Sequence, residues 1–144
     1  MATPKQDTTE ARIQQDCYIW FHNSFPDLRG CLFAVPNGIP IPSEHEGFQA
    51  WVISKFKKWA AKKGQKLKFT GTHKGVSDLV FCYNGVTTFI EMKTATGRQS
   101  DAQKEWEKAI NSQGFEYVLC RTQKHFEEIV KGVVKYGCYS DSLC

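Results

Sequence analysis

Three charged residues border two short apolar runs near the middle of the chain. Asp78 precedes the first run, and Glu91 and Lys93 follow the second. Two carboxylates can hold a divalent cation, and an ammonium group beside them can assist the attack of water on a phosphate. The residue types therefore point to phosphate chemistry, provided that the fold brings the three side chains together.

A β-hairpin would bring them together. The two apolar runs flank Asn84-Gly85, a pair that tolerates positive φ at both central positions of a two-residue turn. Residues 79–83 are therefore predicted to pair antiparallel with residues 86–90. Asp78 then lies at the open end of the hairpin with Glu91, and the period of two along a strand places Lys93 on the same face as Glu91.

An ordinary hairpin with solvated charges at its ends is the alternative interpretation. The flanking runs, 79–82 and 89–90, are strongly apolar and have the character of central strands buried on both faces. Charged groups next to such strands are costly to bury unless they are paired or bound to metal. This favours a chemical role for the three residues.

Length and composition indicate one soluble globular domain. The chain has 144 residues, 41% of them hydrophobic and 24% charged, and no apolar stretch approaches the roughly 20 residues of a membrane-spanning helix. The first residues lack the apolar core of a signal peptide. The six cysteines form no C-x-x-C pair and, with the four histidines, no zinc pattern. We expect a reducing, cytoplasmic compartment.

The positive charge is concentrated in one segment. Residues 47–77 contain eight lysines and no acidic residue, so the remainder has 19 − 8 = 11 basic and 15 acidic residues, a net charge of −4. Such a patch fits contact with a nucleic-acid backbone. A solvated lysine-rich helix face is the alternative.

The basic segment overlaps an inserted helix that is predicted over about 43–63. Ser43 and Glu46 match a capping box, and Gly64 is expected to end the helix, with a short strand following over 66–70. Trp51 and Trp59 fall on the predicted buried stripe, which favours core packing over base stacking.

The remaining elements alternate between helix and strand. A first helix is predicted from Thr8 or Thr9 to about His22, and a strand over 31–35 precedes a turn and a proline-rich loop over 36–42. Ser100 and Gln103 mark the start of another helix, which ends near Gly114. A strand over 115–120 and a helix over 123–135 follow. This order predicts an α/β fold with a mixed central sheet covered by helices.

These motifs together resemble the VRR-NUC domain family of the PD-(D/E)xK nuclease superfamily. The resemblance covers about residues 8–130, and its most specific part is Asp78 followed by Glu91-Met92-Lys93. Ser77 departs from the family, which usually has proline before the aspartate. The other matching pieces are Glu10, Gln14, Pro36-Asn37-Gly38, Gly71 and Gly75, Gly97-Arg98-Gln99-Ser100, Gln103 and Gly114.

The resemblance implies an αβββαβ core, and the basic helix then resembles an insertion. It also implies that Asp78, Glu91 and the backbone carbonyl of Met92 bind Mg²⁺ or Mn²⁺, and that Glu10 reaches the metal directly or through water. Lys93 would orient or activate the attacking water, and Gln103 would position water or the scissile strand. The candidate DNA-binding residues are Gln14, Lys55, Lys58, Lys62, Lys63, Lys74 and Arg98.

Stand-alone proteins of this kind resemble phage or bacterial nucleases of branched DNA, including Holliday junction resolvases. The resemblance therefore implies a single nuclease domain over residues 1–144 that acts on DNA as a homodimer. A nicking or restriction-type endonuclease on duplex DNA is one alternative. A non-catalytic DNA-binding module is another, although the intact Asp78, Glu91 and Lys93 argue against it.

Overall fold

A computed structural model of the protein describes residues 9–36, 49–69, 71 and 73–137. The elements of these ranges alternate between helices and strands, as the sequence predicts. They are α1 (Glu10–Ser24), a short 3₁₀ helix (Pro26–Cys31), β1 (Leu32–Ala34), α2 (Ala50–Phe69), β2 (Leu79–Tyr83), β3 (Val86–Met92), α3 (Asp101–Ser112), β4 (Glu116–Cys120) and α4 (Gln123–Tyr136).

The four strands form one mixed sheet in the order β1-β2-β3-β4. β2 pairs antiparallel with both β1 and β3, and β4 runs parallel to β3. The β2–β3 hairpin turns at Asn84-Gly85, where both residues have positive φ (48° and 81°). Tyr83 pairs with Val86 and Leu79 pairs with Ile90, so the predicted register is confirmed.

Helices α1 and α4 cover one face of the sheet. Alternate residues of the strands point into this layer, and they meet the apolar stripes of the two helices. The fully buried aromatic rings of this core, Phe21, Phe81 and Phe126, come from α1, β2 and α4. Phe21 packs edge-on against Phe81 with ring centroids 5.4 Å apart.

Helix α3 covers the opposite face through an aromatic cluster. Trp106 packs edge-on against Phe89 of β3 and Tyr117 of β4, at centroid distances of 5.0 and 5.8 Å. Phe89 also packs edge-on against Phe115. Helices thus flank both faces of a mixed sheet, which is the expected PD-(D/E)xK-like architecture.

Several predicted helix termini are confirmed. Thr9 caps α1, and its side chain accepts a hydrogen bond from the backbone of Arg12. Ser100 and Gln103 form a complete capping box at the start of α3. α4 covers the predicted range and extends it by one residue, to Tyr136. Each of these helix starts is encoded by local side chain–backbone chemistry.

The inserted basic helix differs from its prediction. Helix α2 spans Ala50–Phe69, so Gly64 does not end it, and the strand predicted over 66–70 is wrong within the described residues. Glycine inside a helix costs only about 1 kcal/mol relative to alanine, which flanking helix-forming residues can offset. The predicted start of the helix at Ser43-Glu46 lies outside the described residues, as do most of the proline-rich loop and the tail beyond residue 137.

The predicted burial of Trp51 and Trp59 is also wrong. Their exposed fractions are 60% and 48%, whereas Ile53 and Ala60 are the buried residues over 50–66, the part of α2 whose side chains are described. Its apolar residues are spread over more than one face, so the apolar spacing alone did not identify the buried side.

None of the helices in the described ranges is long and apolar enough to span a bilayer.

Candidate active site

The open end of the hairpin lies where the parallel strands β3 and β4 also end. The amide of Lys93 donates to the carbonyl of Cys120 at 2.9 Å, which holds the chain beyond β3 against β4. Asp78, just before β2, accepts a hydrogen bond through Oδ2 from the amide of Met92 at 2.8 Å. This bond fixes the carboxylate of Asp78 beside the end of β3, as the hairpin predicts.

Glu91 is fully buried, and one of its carboxylate oxygens accepts hydrogen bonds from two side chains. Its Oε1 accepts from Lys93 Nζ at 2.7 Å and from the side-chain amide of Gln103. Its Oε2 is buried and makes no hydrogen bond of ordinary geometry to the described residues, although the carboxylate interacts with the hydroxyl of Tyr117. A buried carboxylate oxygen of this kind is costly to desolvate unless it binds a ligand.

Glu10 joins this group from the first turn of α1. Its Oε1 lies 3.7 Å from Lys93 Nζ, and its side chain is partly exposed, so it lies on the open side of the site. Gly97 lies against the same oxygen: a Cβ built on Gly97 would be 3.1 Å from Glu10 Oε1. The predicted residues Glu10, Asp78, Glu91, Lys93 and Gln103 therefore converge, and we call them the hairpin-end cluster.

The charges of the cluster do not cancel. Three carboxylates, those of Glu10, Asp78 and Glu91, face one ammonium group, that of Lys93. Burial raises the pKa of Glu91, and the charge of Asp78 adds to this effect, whereas the hydrogen bond from Lys93 lowers it. Burial alone would lower the pKa of Lys93, but the hydrogen bond to Glu91 and the surrounding carboxylates outweigh it and raise that pKa. The formal excess of negative charge favours a bound cation.

Gln103 reaches the cluster because the start of α3 packs against the loop before β2. Gly75 in that loop has φ of 83°, and a Cβ built there would collide with the carbonyl of Ala102 and lie 2.8 Å from the amide nitrogen of Gln103. Only glycine allows so close an approach at positive φ. The close contact places the first turn of α3 over the end of β3.

Two supporting groups were not predicted from the sequence. Arg121 Nη1 donates to the carbonyls of Thr94 and of Gly97, the latter at 2.9 Å, and so holds the loop that contacts Glu10. The signal for it was its position directly after β4, at the shared end of the parallel strands. Gln99 donates to Glu107 at 2.7 Å and lies 3.5 Å from the hydroxyl of Tyr117. Burial, with the charges of Glu91 and Glu107 adding to it, raises the pKa of Tyr117.

The candidate DNA-binding residues lie on several elements. Gln14 lines an open groove of about 430 Å³ with Tyr18, Phe33, Leu79 and neighbouring residues of α1 and β1. Its lining includes Ala11 and Leu79, which are the chain neighbours of Glu10 and Asp78 in the cluster. The other candidates are exposed: Lys74 in the loop before β2, Arg98 before α3, and Lys55, Lys58, Lys62 and Lys63 on α2.

The composition of the cluster suits an open site for a hard divalent cation, in which the protein supplies only some of the metal ligands. In the described part of the chain, no three His, Cys, Asp or Glu side chains are grouped as a ready-made metal site. Mg²⁺ is usually held by one or two carboxylates, with waters and substrate phosphates as its other ligands. The buried Oε2 of Glu91 and the nearby carboxylate of Asp78 are oxygen ligands of that kind.

A comparison with protein-family models matches residues 8–124 to the VRR-NUC domain. The match includes every member of the hairpin-end cluster and covers well over half of the chain. Comparisons with curated proteins and with solved structures found no match.

Proposed function

We propose that this chain is a metal-dependent endonuclease of branched DNA. The premise is that the chain belongs to the VRR-NUC domain family and is therefore a nuclease. The hairpin-end cluster is its proposed catalytic centre. The observation that carries this assignment is the convergence of three carboxylates and one lysine, among which the buried Glu91 has an oxygen, Oε2, that makes no ordinary hydrogen bond to the described residues.

Asp78, Glu91 and the backbone carbonyl of Met92 would hold Mg²⁺ or Mn²⁺, with Glu10 reaching it directly or through water. When bound, the metal would acidify a water molecule and neutralise charge on the phosphate. Hydrolysis joins a water oxygen to phosphorus and releases one bridging oxygen as a hydroxyl. Lys93 can donate to the phosphate oxygens, where negative charge must be stabilised, while the amide of Gln103 keeps Glu91 oriented.

The proposed substrate is a DNA branch such as a four-way junction, and the proposed active form is a homodimer. One cluster per chain provides one catalytic centre, which nicks one strand in each binding event. A junction is resolved by two symmetric nicks, and twofold symmetry of the substrate is matched most simply by a C₂ dimer. The groove lined by Gln14 is the proposed path for one strand, because Ala11 and Leu79 in its lining adjoin Glu10 and Asp78 in the chain.

Cleavage of matched junction, flap and blunt duplex DNA tests this proposal. We expect cutting of branched DNA with Mg²⁺ or Mn²⁺, binding without efficient cutting with Ca²⁺, and no cutting in EDTA. Asp78→Asn, Glu91→Gln and Lys93→Ala should each abolish cutting. Asp78→Asn is the sharpest of the three, because asparagine retains an oxygen that can accept from the amide of Met92.

Full cleavage by Asp78→Asn would refute the assignment of the cluster. Light scattering of the same preparations reports the mass of the active form. A monomer that cuts duplex as readily as junctions would replace the junction proposal with a nicking nuclease. Binding of DNA without cleavage under all of these metal conditions would leave a non-catalytic DNA-binding module.

A further inference from the structure

Helix α2 presents an exposed face on which tryptophan and lysine alternate. At about 3.6 residues per turn, two tryptophans and four lysines lie on the side opposite the buried Ile53 and Ala60. We call these six residues the outward face of α2. They are Trp51, Lys55, Lys58, Trp59, Lys62 and Lys66, all of them exposed.

Each exposed tryptophan of this face carries a lysine one turn further along. Lys55 Nζ lies 5.2 Å from the ring centroid of Trp51, and Lys63 Nζ lies 5.8 Å from that of Trp59. Trp59 also packs against Phe56, and Trp51 donates to the side-chain oxygen of Gln49 at 2.6 Å. These contacts limit how the two rings can turn while leaving much of their surface open to solvent.

The charge of the face determines which partner it suits. The segment 47–77 contains no acidic residue, and every charged side chain of α2 is a lysine. A second copy of α2 placed against this face would bring lysines onto lysines, which is unfavourable. A polyanion with flat apolar groups matches both the lysines and the tryptophans.

We propose that the outward face of α2 binds single-stranded DNA, with Trp51 and Trp59 stacking on unpaired bases and the lysines contacting phosphates. Alternation of cationic and aromatic side chains is the usual means of binding single strands without sequence preference. In a duplex the base faces are already stacked on one another, so two exposed tryptophans would add little there. The inference rests on the proposed function, since a branch point offers unpaired bases near the scissile strand.

The face lies within one helix and is long enough for a nucleic-acid strand lying along it to contact both tryptophans. Trp51 and Trp59 are separated by eight residues, or about 12 Å along the helix axis. Lys55 lies between them on the same side, and Lys58 and Lys62 flank the row. A strand lying along the helix would therefore meet ring, ammonium and ring in succession.

Two double variants separate stacking from charge and bulk. Trp51→Phe/Trp59→Phe keeps two aromatic rings, whereas Trp51→Leu/Trp59→Leu keeps apolar bulk and removes stacking. Binding of a fluorescein-labelled oligothymidylate and of a blunt duplex of the same length would be measured by anisotropy in EDTA. A denaturing gel would show that the probe remains intact, and thermal unfolding would show that each variant is folded.

We expect the leucine variant to lose roughly five- to 150-fold in single-strand affinity for each tryptophan replaced. The phenylalanine variant should retain most of that affinity, and duplex binding should change little in either. Oligothymidylate should also quench the tryptophan emission of the unaltered protein, and this quenching should largely disappear in the phenylalanine variant although it still binds.

Unchanged single-strand affinity in the leucine variant would overturn the inference, as would the absence of quenching in the unaltered protein. Equal losses for duplex and single strand would also overturn it. A lower mass of both variants in sedimentation, with unchanged DNA affinity, would reassign the face to self-association. Because binding in EDTA is independent of cleavage, a chain that shows these effects but cuts no DNA would refute the nuclease assignment alone.

Discussion

Gln103 and Glu91 are joined by a hydrogen bond whose direction is fixed by the start of a helix. The side-chain oxygen of Gln103 accepts from the backbone amide of Ser100 at 2.8 Å, which leaves its amide nitrogen to donate to Glu91 Oε1. The same carboxylate oxygen accepts from Lys93. The capping box of α3 therefore orients a carboxylate on the neighbouring strand, in addition to starting the helix.

Gln103→Ala is expected to lower cleavage about 10- to 100-fold, the usual effect of losing a group that orients a metal ligand. Ser100→Ala is the matched control. It removes the hydroxyl that accepts from the amide of Gln103, but the backbone amide at position 100 still holds the side-chain oxygen of Gln103. We expect Ser100→Ala to cost about 1 kcal/mol of stability and to cleave nearly as the unaltered protein does.

Cleavage rates at saturating metal and over a metal titration would distinguish these effects. Equal losses of activity in Gln103→Ala and Ser100→Ala, at a temperature where both are folded, would mean that Gln103 acts only through the helix cap.

Glu91 should make the stability of the metal-free protein depend on pH in an unusual direction. Its pKa is raised above the ordinary 4.5, chiefly by burial. The folded protein therefore holds this proton more tightly than the unfolded chain does. The corresponding stability is fully present below about 4.5 and is lost as the pH rises through the higher folded pKa.

Glu91→Gln removes this titration, so the stability of the variant relative to the unaltered protein should increase from acidic to neutral pH. Urea unfolding in EDTA at a series of pH values measures the difference. Glu128→Gln, at an exposed position of α4, controls for the change from carboxylate to amide. A difference that decreases with pH would mean that the pairing of Glu91 with Lys93 outweighs burial.

The hairpin and its charged end were predictable because local rules govern them. Asn84-Gly85 fixes the turn, and the register of β2 and β3 follows from it. The alternation along β3 then places Glu91 beside Lys93. The start of α3 was predictable for the same reason, since Ser100 and Gln103 are only three residues apart and satisfy each other.

The extent and exposure of α2 and the role of Arg121 were not predictable in this way. Gly64 is a weak stop signal when helix-forming residues surround it, and Trp51 fits a buried stripe as well as an exposed one. Arg121 binds carbonyls more than twenty residues earlier in the chain. Such contacts depend on the tertiary fold, for which the sequence contains no local pattern.

Gly75→Ala tests whether the loop before β2 must contact α3 for activity. Gly71→Ala is the matched control: both glycines have positive φ, 98° at Gly71 and 83° at Gly75, but a Cβ at Gly71 would have no neighbour within 4 Å in the described part of the chain. Both variants carry the strain of a left-handed alanine. Only Gly75→Ala should displace the first turn of α3, which includes Gln103.

We therefore expect Gly75→Ala to lose more stability than Gly71→Ala, and to lose cleavage about as strongly as Gln103→Ala does. Thermal unfolding and cleavage of the same junction substrate provide the two measurements. If the two glycine variants behaved alike in both, backbone strain would account for the whole effect, and the contact with α3 would have no part in it.

The lysines of α2 should contribute to DNA affinity through phosphate contacts. Lys58 and Lys62 are suited to this test because both are exposed on the outward face of α2. Each phosphate contact contributes a slope of about 0.9 to the dependence of log affinity on log salt for duplex DNA, and about 0.7 for single strands. Lys58→Ala/Lys62→Ala should therefore flatten that slope by about 1.4 to 1.8, and weaken binding equally for unrelated sequences.

Lys124→Ala/Lys131→Ala, on α4, removes the same charge from another helix and should leave the slope nearly unchanged. Binding titrations over a range of salt concentrations report both slopes, and an equal flattening in the two double variants would indicate a general effect of net charge.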